Sequence, residues 1–183
     1  AALIMFGEKG FDGTSMDMIA RKMGYSKAAL YQYFENKEDL FSAVMKETPF
    51  HFNFIQIKPK MDNFNLWEVI HEIGMSYMDL FNTQERIAFT RTIIRDSNKH
   101  PEISDMYHKY GIGYVAQCVA DYLEKFKDQL RPDVDLYLAA KTYVGSLFAF
   151  AVQYKVIIGV NQKYTDKEIV DLSTDIFVRG IIK

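Results

Sequence analysis

The chain has 183 residues, 49% of them hydrophobic, and a formal net charge of −2; this is enough apolar material for one or two folded domains and excludes a disordered chain. No apolar run approaches the ~20 residues that span a bilayer as a helix, since Tyr143 to Gly159 is interrupted by Ser146, Gln153 and Lys155, and no signal-peptide pattern opens the sequence. The single cysteine, Cys118, excludes an internal disulfide and fits a reducing cytoplasm, and His51, His71, His100 and His108 do not cluster with it at metal spacing, so no metal or cofactor is nominated.

Ala1 to Lys9 reads as a helix with Leu3 and Phe6 on its inner face and Gly10 at its end. Phe11 is expected in a small core with Ile19, Leu30 and Phe34, and Asp12-Gly13 reads as a turn. Thr14 or Ser15 can cap a second helix, in which Met16, Ile19, Ala20 and Met23 form one apolar stripe. Gly24 then stands where a left-handed C-cap residue is expected. Ser26 caps a further helix, Lys27 to Phe34, with Leu30 and Phe34 facing inward and Lys27, Ala28, Tyr31 and Tyr33 on the other face. Asn36 caps the next helix, and Glu38 and Asp39 suit its positive end. Helix, tight turn with glycine, and second helix with an exposed polar face make a helix-turn-helix pattern.

The stretch GFDGTSMDMIARKMGYSKAALYQYFENKEDLF closely resembles the N-terminal domain of TetR-family transcriptional regulators. The resemblance covers Ala1 to Met45 and is most diagnostic in YQYF at Tyr31 to Phe34 and the NKEDLF that follows. It implies that Lys27, Ala28 and Tyr33 touch DNA bases, while Thr14, Ser26, Tyr31 and Lys37 hold phosphates. Hydroxyls, lysines and helix N-termini are the usual partners of phosphate. It also implies a few residues before Ala1, often basic. Charge argues the other way: residues 1–47 carry six Lys or Arg against seven Asp or Glu, where a nucleic-acid binder is usually basic.

Pro49 falls where a helix from Lys37 needs an amide donor, so the helix ends near Glu47 or kinks and resumes through Phe50, Phe54 and Ile57; the resemblance favours the kink. Lys58 to Asn65 reads as loop. Leu66, Val69, Ile70, Ile73, Tyr77 and Leu80 form one stripe, and Trp67, Gly74, Met78 and Phe81 a second, so that helix is buried on two sides. A helix over Glu85 to Asp96 follows, then one from Pro101 to about Lys127, loosened at Gly111 and Gly113. Asp133 caps a long helix to about Ile158, and Thr165 with Glu168 forms a capping box for the last one. The expected fold is all-α with about nine helices: residues 1–47 as the DNA-binding domain, and residues 48–183 for effector binding and dimerisation.

No phosphate loop, GxSxG or HExxH nominates an enzyme. Trp67, Tyr77, Phe81, Phe89, Tyr110, Tyr114 and Phe148 are candidates to line an apolar ligand cavity, with Arg91 and Gln117 as polar residues set inside apolar stripes; ordinary helical core is the plainer reading of any one aromatic. The expected partners are a double-stranded DNA operator, a small apolar or aromatic effector, and a second copy of the chain through the last two long helices. Gly145, Ser146, Ala149 and Ala151 would allow close approach there, and Leu147, Phe148, Leu172, Ile176 and Phe177 would fill the seam. The function expected is a ligand-responsive DNA-binding repressor, released from a palindromic operator. The alternative is a helical binding or carrier protein, or a helical enzyme, without DNA function.

Overall fold

The computed structural model describes residues 1–47, 64–159 and 163–183. In chain order the helices are α1 (Ala2–Lys9), α2 (Met16–Met23), α3 (Lys27–Tyr31), α4 (Lys37–Lys46), α5 (Leu66–Met78), α6 (Gln84–Asp96), α7 (Pro101–Tyr110), α8 (Ile112–Glu124), α9 (Leu136–Ala151) and α10 (Asp166–Ile181). Beyond Ala151 the chain continues as a π-helical segment, Val152–Ile158. The fold is all-α; among the described residues the only extended pairing is an isolated bridge between Leu130 and Ile182. No described helix is long and apolar enough to cross a membrane. The expected kink at Pro49 falls outside the described residues.

Local chemistry places most of these ends. Ser15, Ser26 and Asn36 each accept a hydrogen bond from the amide three residues on, at 3.3, 3.1 and 2.7 Å, and so satisfy donors that open α2, α3 and α4. Gly24 ends α2 at φ 72°, a left-handed conformation that only glycine adopts without strain. Thr165 and Glu168 form the expected reciprocal box at α10, and Asn65 with Glu68 forms another at α5.

Three ends differ from expectation. Helix α3 stops at Tyr31, because the amides of Tyr33 and Phe34 both turn back to the Leu30 carbonyl and the chain must then extend to seat Asn36 as a cap. The helix expected from Pro101 to Lys127 is broken at Gly111, whose ψ of −119° leaves the helical region. Asp135, not Asp133, caps α9, with Oδ1 2.9 Å from the Leu138 amide, while Asp133 is held by Arg131 at 2.9 Å.

The helices group into two compact units. In the first, α1 to α4 pack with Phe81–Gly111, which carries α6 and α7. Its core joins Phe6, Phe11, Ile19, Leu30, Leu40 and Phe41 to Phe89, Ile93 and Ile103, so residues beyond 47 complete the N-terminal core. The ring of Phe41 lies 4.9 Å from those of both Phe6 and Phe89. The Thr92 hydroxyl donates to the Phe6 carbonyl at 2.8 Å, which ties α6 to α1.

In the second unit, α8 packs along α9, and α5 packs on α8, α9 and α10. Val69, Ile70, Ile73, Val115, Val119, Leu123, Ala140, Val144 and Leu147 are nearly or fully buried there. Tyr143 spans three helices: its hydroxyl donates to the Ile70 carbonyl at 3.2 Å and lies 2.8 Å from Thr174 Oγ1. Burial pushes the Tyr143 phenol well above its ordinary range, so it serves as a neutral hydrogen-bonding strut.

Candidate nucleic-acid interface

Between α2 and α3 the chain turns in the tripeptide Gly24-Tyr25-Ser26, whose Tyr25 amide returns to the Ala20 carbonyl at 2.9 Å. Ile19 and Ala20 of α2 and Leu30 of α3 are buried, which fixes the two helices through one apolar seam. The opposite face stays open. Lys27, Ala28, Tyr31 and Tyr33 are all exposed, Tyr33 at 79% and Tyr31 at 44%, as are Ser26, Arg21 and Lys22. Large aromatic rings left in water while Leu30 is buried mark a surface shaped for contact rather than for packing.

One acid sits on this face. The Lys27 ammonium lies 3.0 Å from Asp17 Oδ1 and donates a hydrogen bond to Oδ2 at 3.2 Å, bridging the openings of α2 and α3, and this hydrogen bond raises the Lys27 pKa above its ordinary value. Lys27 also lies 5.9 Å from the centre of the Tyr31 ring.

Two residues expected to hold phosphate are committed to the fold. Thr14 is buried, and its hydroxyl donates to the Gly10 carbonyl at 2.7 Å and the Met5 carbonyl at 3.1 Å; it ties the end of α1 to the start of α2 and has no exposed hydroxyl to offer. Lys37 is half-buried; its ammonium donates to the Phe11 carbonyl at 2.8 Å and lies 4.2 Å from the centre of the Phe11 ring. Tyr25, 60% exposed at the centre of the turn, belongs to the open face, which the sequence pattern alone does not indicate. Its only signal there is an aromatic residue that fits neither apolar stripe.

The nine candidate ligand residues do not come together as one set. Phe89 lies in the first unit's core among Phe6 and Phe41, and Phe81 is grouped with that unit. Tyr110 is also in the first unit, beneath the Lys46 and Lys109 ammonium groups at 4.6 and 5.2 Å. Arg91 and Gln117, expected inside apolar stripes, are exposed; Gln117 donates to Asp121 at 2.7 Å. Tyr77, Tyr114, Trp67 and Phe148 belong to the second unit, on α5, α8 and α9. Tyr77 is buried, and burial pushes the Tyr114 phenol up to about 12. Trp67 stacks on His71 at 4.7 Å.

An apolar groove of about 460 Å³ opens between α9 and α10, lined by Ser146, Phe150, Leu172, Ile176 and Phe177 among others; none of the nine candidates lines it. Leu172 and Ile176 are 62% and 65% exposed, whereas Leu147 and Ala151, also expected in a seam between subunits, are fully buried within the chain. Among the described residues no group of His, Cys, Asp and Glu is placed to hold a metal.

A buried seam between two short helices, a glycine-capped turn and an open polar and aromatic face define a helix-turn-helix protein. Residues 1–44 match the family model described as bacterial regulatory proteins, tetR family, and residues 68–179 match that of the AefR-like transcriptional repressor C-terminal domain. The chain belongs to the TetR family of bacterial regulatory proteins.

Among relatives, it is 28% identical over 131 residues to IcaR of Staphylococcus aureus strain Newman, described as a biofilm operon icaADBC HTH-type negative transcriptional regulator. The match covers 70% of this chain and 66% of that protein, just under two thirds of the relative's length. Among solved structures, the fatty acid degradation regulator FadR from Bacillus halodurans superposes with a TM-score of 0.78 at 19% identity, covering 98% of this chain and 95% of that one. The flavonoid-responsive regulator FrrA gives a TM-score of 0.70 at 22% identity, over 99% and 95% of the two chains.

Proposed function

We propose that the chain is a DNA-binding transcriptional repressor that acts in the cytoplasm as a homodimer and is released from its operator by a small apolar or aromatic effector. The observation that carries this reading is the open face of the helix-turn-helix, where Lys27, Ala28, Tyr31 and Tyr33 stand clear of a buried seam. The kinship with IcaR, a negative regulator, favours repression over activation. On this face Lys27, Ala28 and Tyr33 read base edges in the major groove, and Ser26, Tyr31 and Tyr25 contact the phosphate backbone. Asp17 pairs with Lys27 in the free protein, and a base edge replaces that carboxylate on binding.

Two reading heads about 34–36 Å apart are needed for a two-fold operator. The exposed Leu172 and Ile176, with the groove beside them, support α9 and α10 as the seam between two copies. Trp67, Tyr77, Tyr114 and Phe148, carried by three helices that pack together, remain the candidates for contact with the effector. Selection of bound sequences from random duplex DNA, repeated over a salt series and with hydrophobic compounds, tests the reading. A palindromic consensus lost in the presence of a compound that also changes Trp67 fluorescence is the expected outcome. Retention no stronger than that of bovine albumin on duplex DNA at low salt would turn the reading towards a binding or carrier protein.

A further inference from the structure

Phe11 is the corner where α1 ends and the approach to α2 begins, and every part of it is held. Its amide donates to Asp96 Oδ2 at 2.9 Å, across 85 residues of sequence. Its carbonyl accepts from the Lys37 ammonium at 2.8 Å, and that ammonium also covers its ring. The ring meets Phe41 edge-on at 5.3 Å, stacks on Phe6 at 6.0 Å and touches His100 at 4.8 Å.

Asp96 is the last residue of α6 and is 6% exposed. Arg95 engages both of its oxygens, at 2.6 and 3.0 Å, and this bond with the Phe11 amide holds the Asp96 carboxyl below the usual aspartate range. Gly10, at φ 78°, leaves the space through which the Arg95 guanidinium reaches Asp96. Next to Phe11, Asp12 is bound to His100 at 2.8 Å, and His100 to Glu102 at 3.0 Å, so the α6–α7 junction grips the corner twice. On the other side, Lys37 opens α4 directly after Asn36, and Asp39, in the first turn, accepts the Glu35 amide at 3.3 Å. The segment between the Ser26 cap and Lys37 carries the whole of α3.

An apolar core would hold Phe11 without a buried carboxylate, and burying a charge is costly unless it is fully hydrogen-bonded. What the carboxylate adds is direction, because it fixes one backbone amide at one point. We propose that Asp96 is a positioning residue for DNA binding: through the amide of Phe11 and the carbonyl's bond to Lys37, it sets from the end of α6 where the α3 segment and the start of α4 stand. This rests on the repressor reading above.

Amide hydrogen exchange over residues 26–40 tests this, measured together with duplex-DNA affinity and melting temperature. In Asp96→Ala, exchange in this segment should quicken about tenfold beyond what the change in global stability explains, with operator affinity falling in step. Asp96→Asn keeps an oxygen for the Phe11 amide and should restore slow exchange even though the Arg95 pair is lost. Lys37→Met, which leaves Asp96 and Phe11 in place, should loosen the same segment and covers the case in which Asp96→Ala fails to fold. Unchanged exchange over 26–40 in Lys37→Met, or in folded Asp96→Ala, overturns the proposal. Exchange is read without DNA, so a parent protein that binds no duplex overturns the repressor reading and leaves this result standing on its own.

Discussion

The Lys27 ammonium and the Asp17 carboxylate, 3.0 Å apart, close an ion pair across the face that carries the exposed tyrosines. Both partners are solvated, so the pair contributes little to stability. Its effect falls on binding, because Asp17 holds the cation in place and sets a negative charge beside incoming phosphate. Asp17→Asn should therefore tighten DNA binding a few-fold at low salt and leave the melting temperature near that of the parent. Fluorescence anisotropy with a labelled duplex checks this; weaker binding by the Asn variant would mean that Asp17 orients Lys27 for contact rather than competing for it.

Lys27→Ala and Tyr33→Ala should each weaken specific binding about 5- to 150-fold, the range expected for one lost base contact. Tyr25→Ala should weaken specific and non-specific duplexes alike. The check is competition between a selected operator and a scrambled duplex of the same length. Thr14→Ser should leave DNA binding unchanged, since the Thr14 hydroxyl faces the Gly10 and Met5 carbonyls.

A charge at the exposed positions of α10 should separate the copies. Ile176→Glu, at a site 65% exposed within one chain, should leave helical content intact and give a monomer by light scattering at micromolar concentration. Operator affinity should collapse with it, because two heads bind as one unit only when they are joined. A dimer that persists with Ile176→Glu would move the seam away from this face.

Acid should loosen the first unit through Asp96. Its carboxyl is held below the ordinary range, chiefly by Arg95, so its stabilising contribution is present above the unfolded aspartate value and is lost as pH falls through the folded one. Urea denaturation from about pH 7 down to about pH 3 should show a decline that is shallower in Asp96→Asn, which has no carboxyl to titrate. Parallel declines in parent and variant would assign the acid sensitivity to other groups.

What the sequence disclosed and what it concealed divide by distance along the chain. Ser26, Asn36 and Thr165 are legible as caps because each bonds an amide three residues away, Ser15 only as one of two choices with Thr14, and Gly24 because a single backbone angle requires it. Thr14 and Lys37 resembled phosphate ligands by type and position. The carbonyls of Met5, Gly10 and Phe11 that occupy them become visible only once α1 has folded back. Arg91 and Gln117 shared helical spacing with apolar residues, yet spacing alone does not say which flank of a stripe meets a neighbour, and both face solvent. Phe89 looked like pocket lining because no local pattern announces that α6 completes the core of the N-terminal helices.

That shared core has a consequence for the chain as it is made. Among the described residues the apolar faces of α1 to α4 close on Phe89, Ile93 and Ile103, with Met106, Tyr107 and Tyr110 beside them, so the reading head is finished only once synthesis has passed Ile103. At about 5–20 residues per second, Phe6 and Phe41 wait some seconds for their partners. During that interval the nascent head presents an unclosed aromatic surface to chaperones and to other nascent chains. A graft that moves this head onto another protein must carry Phe81–Gly111 along with it.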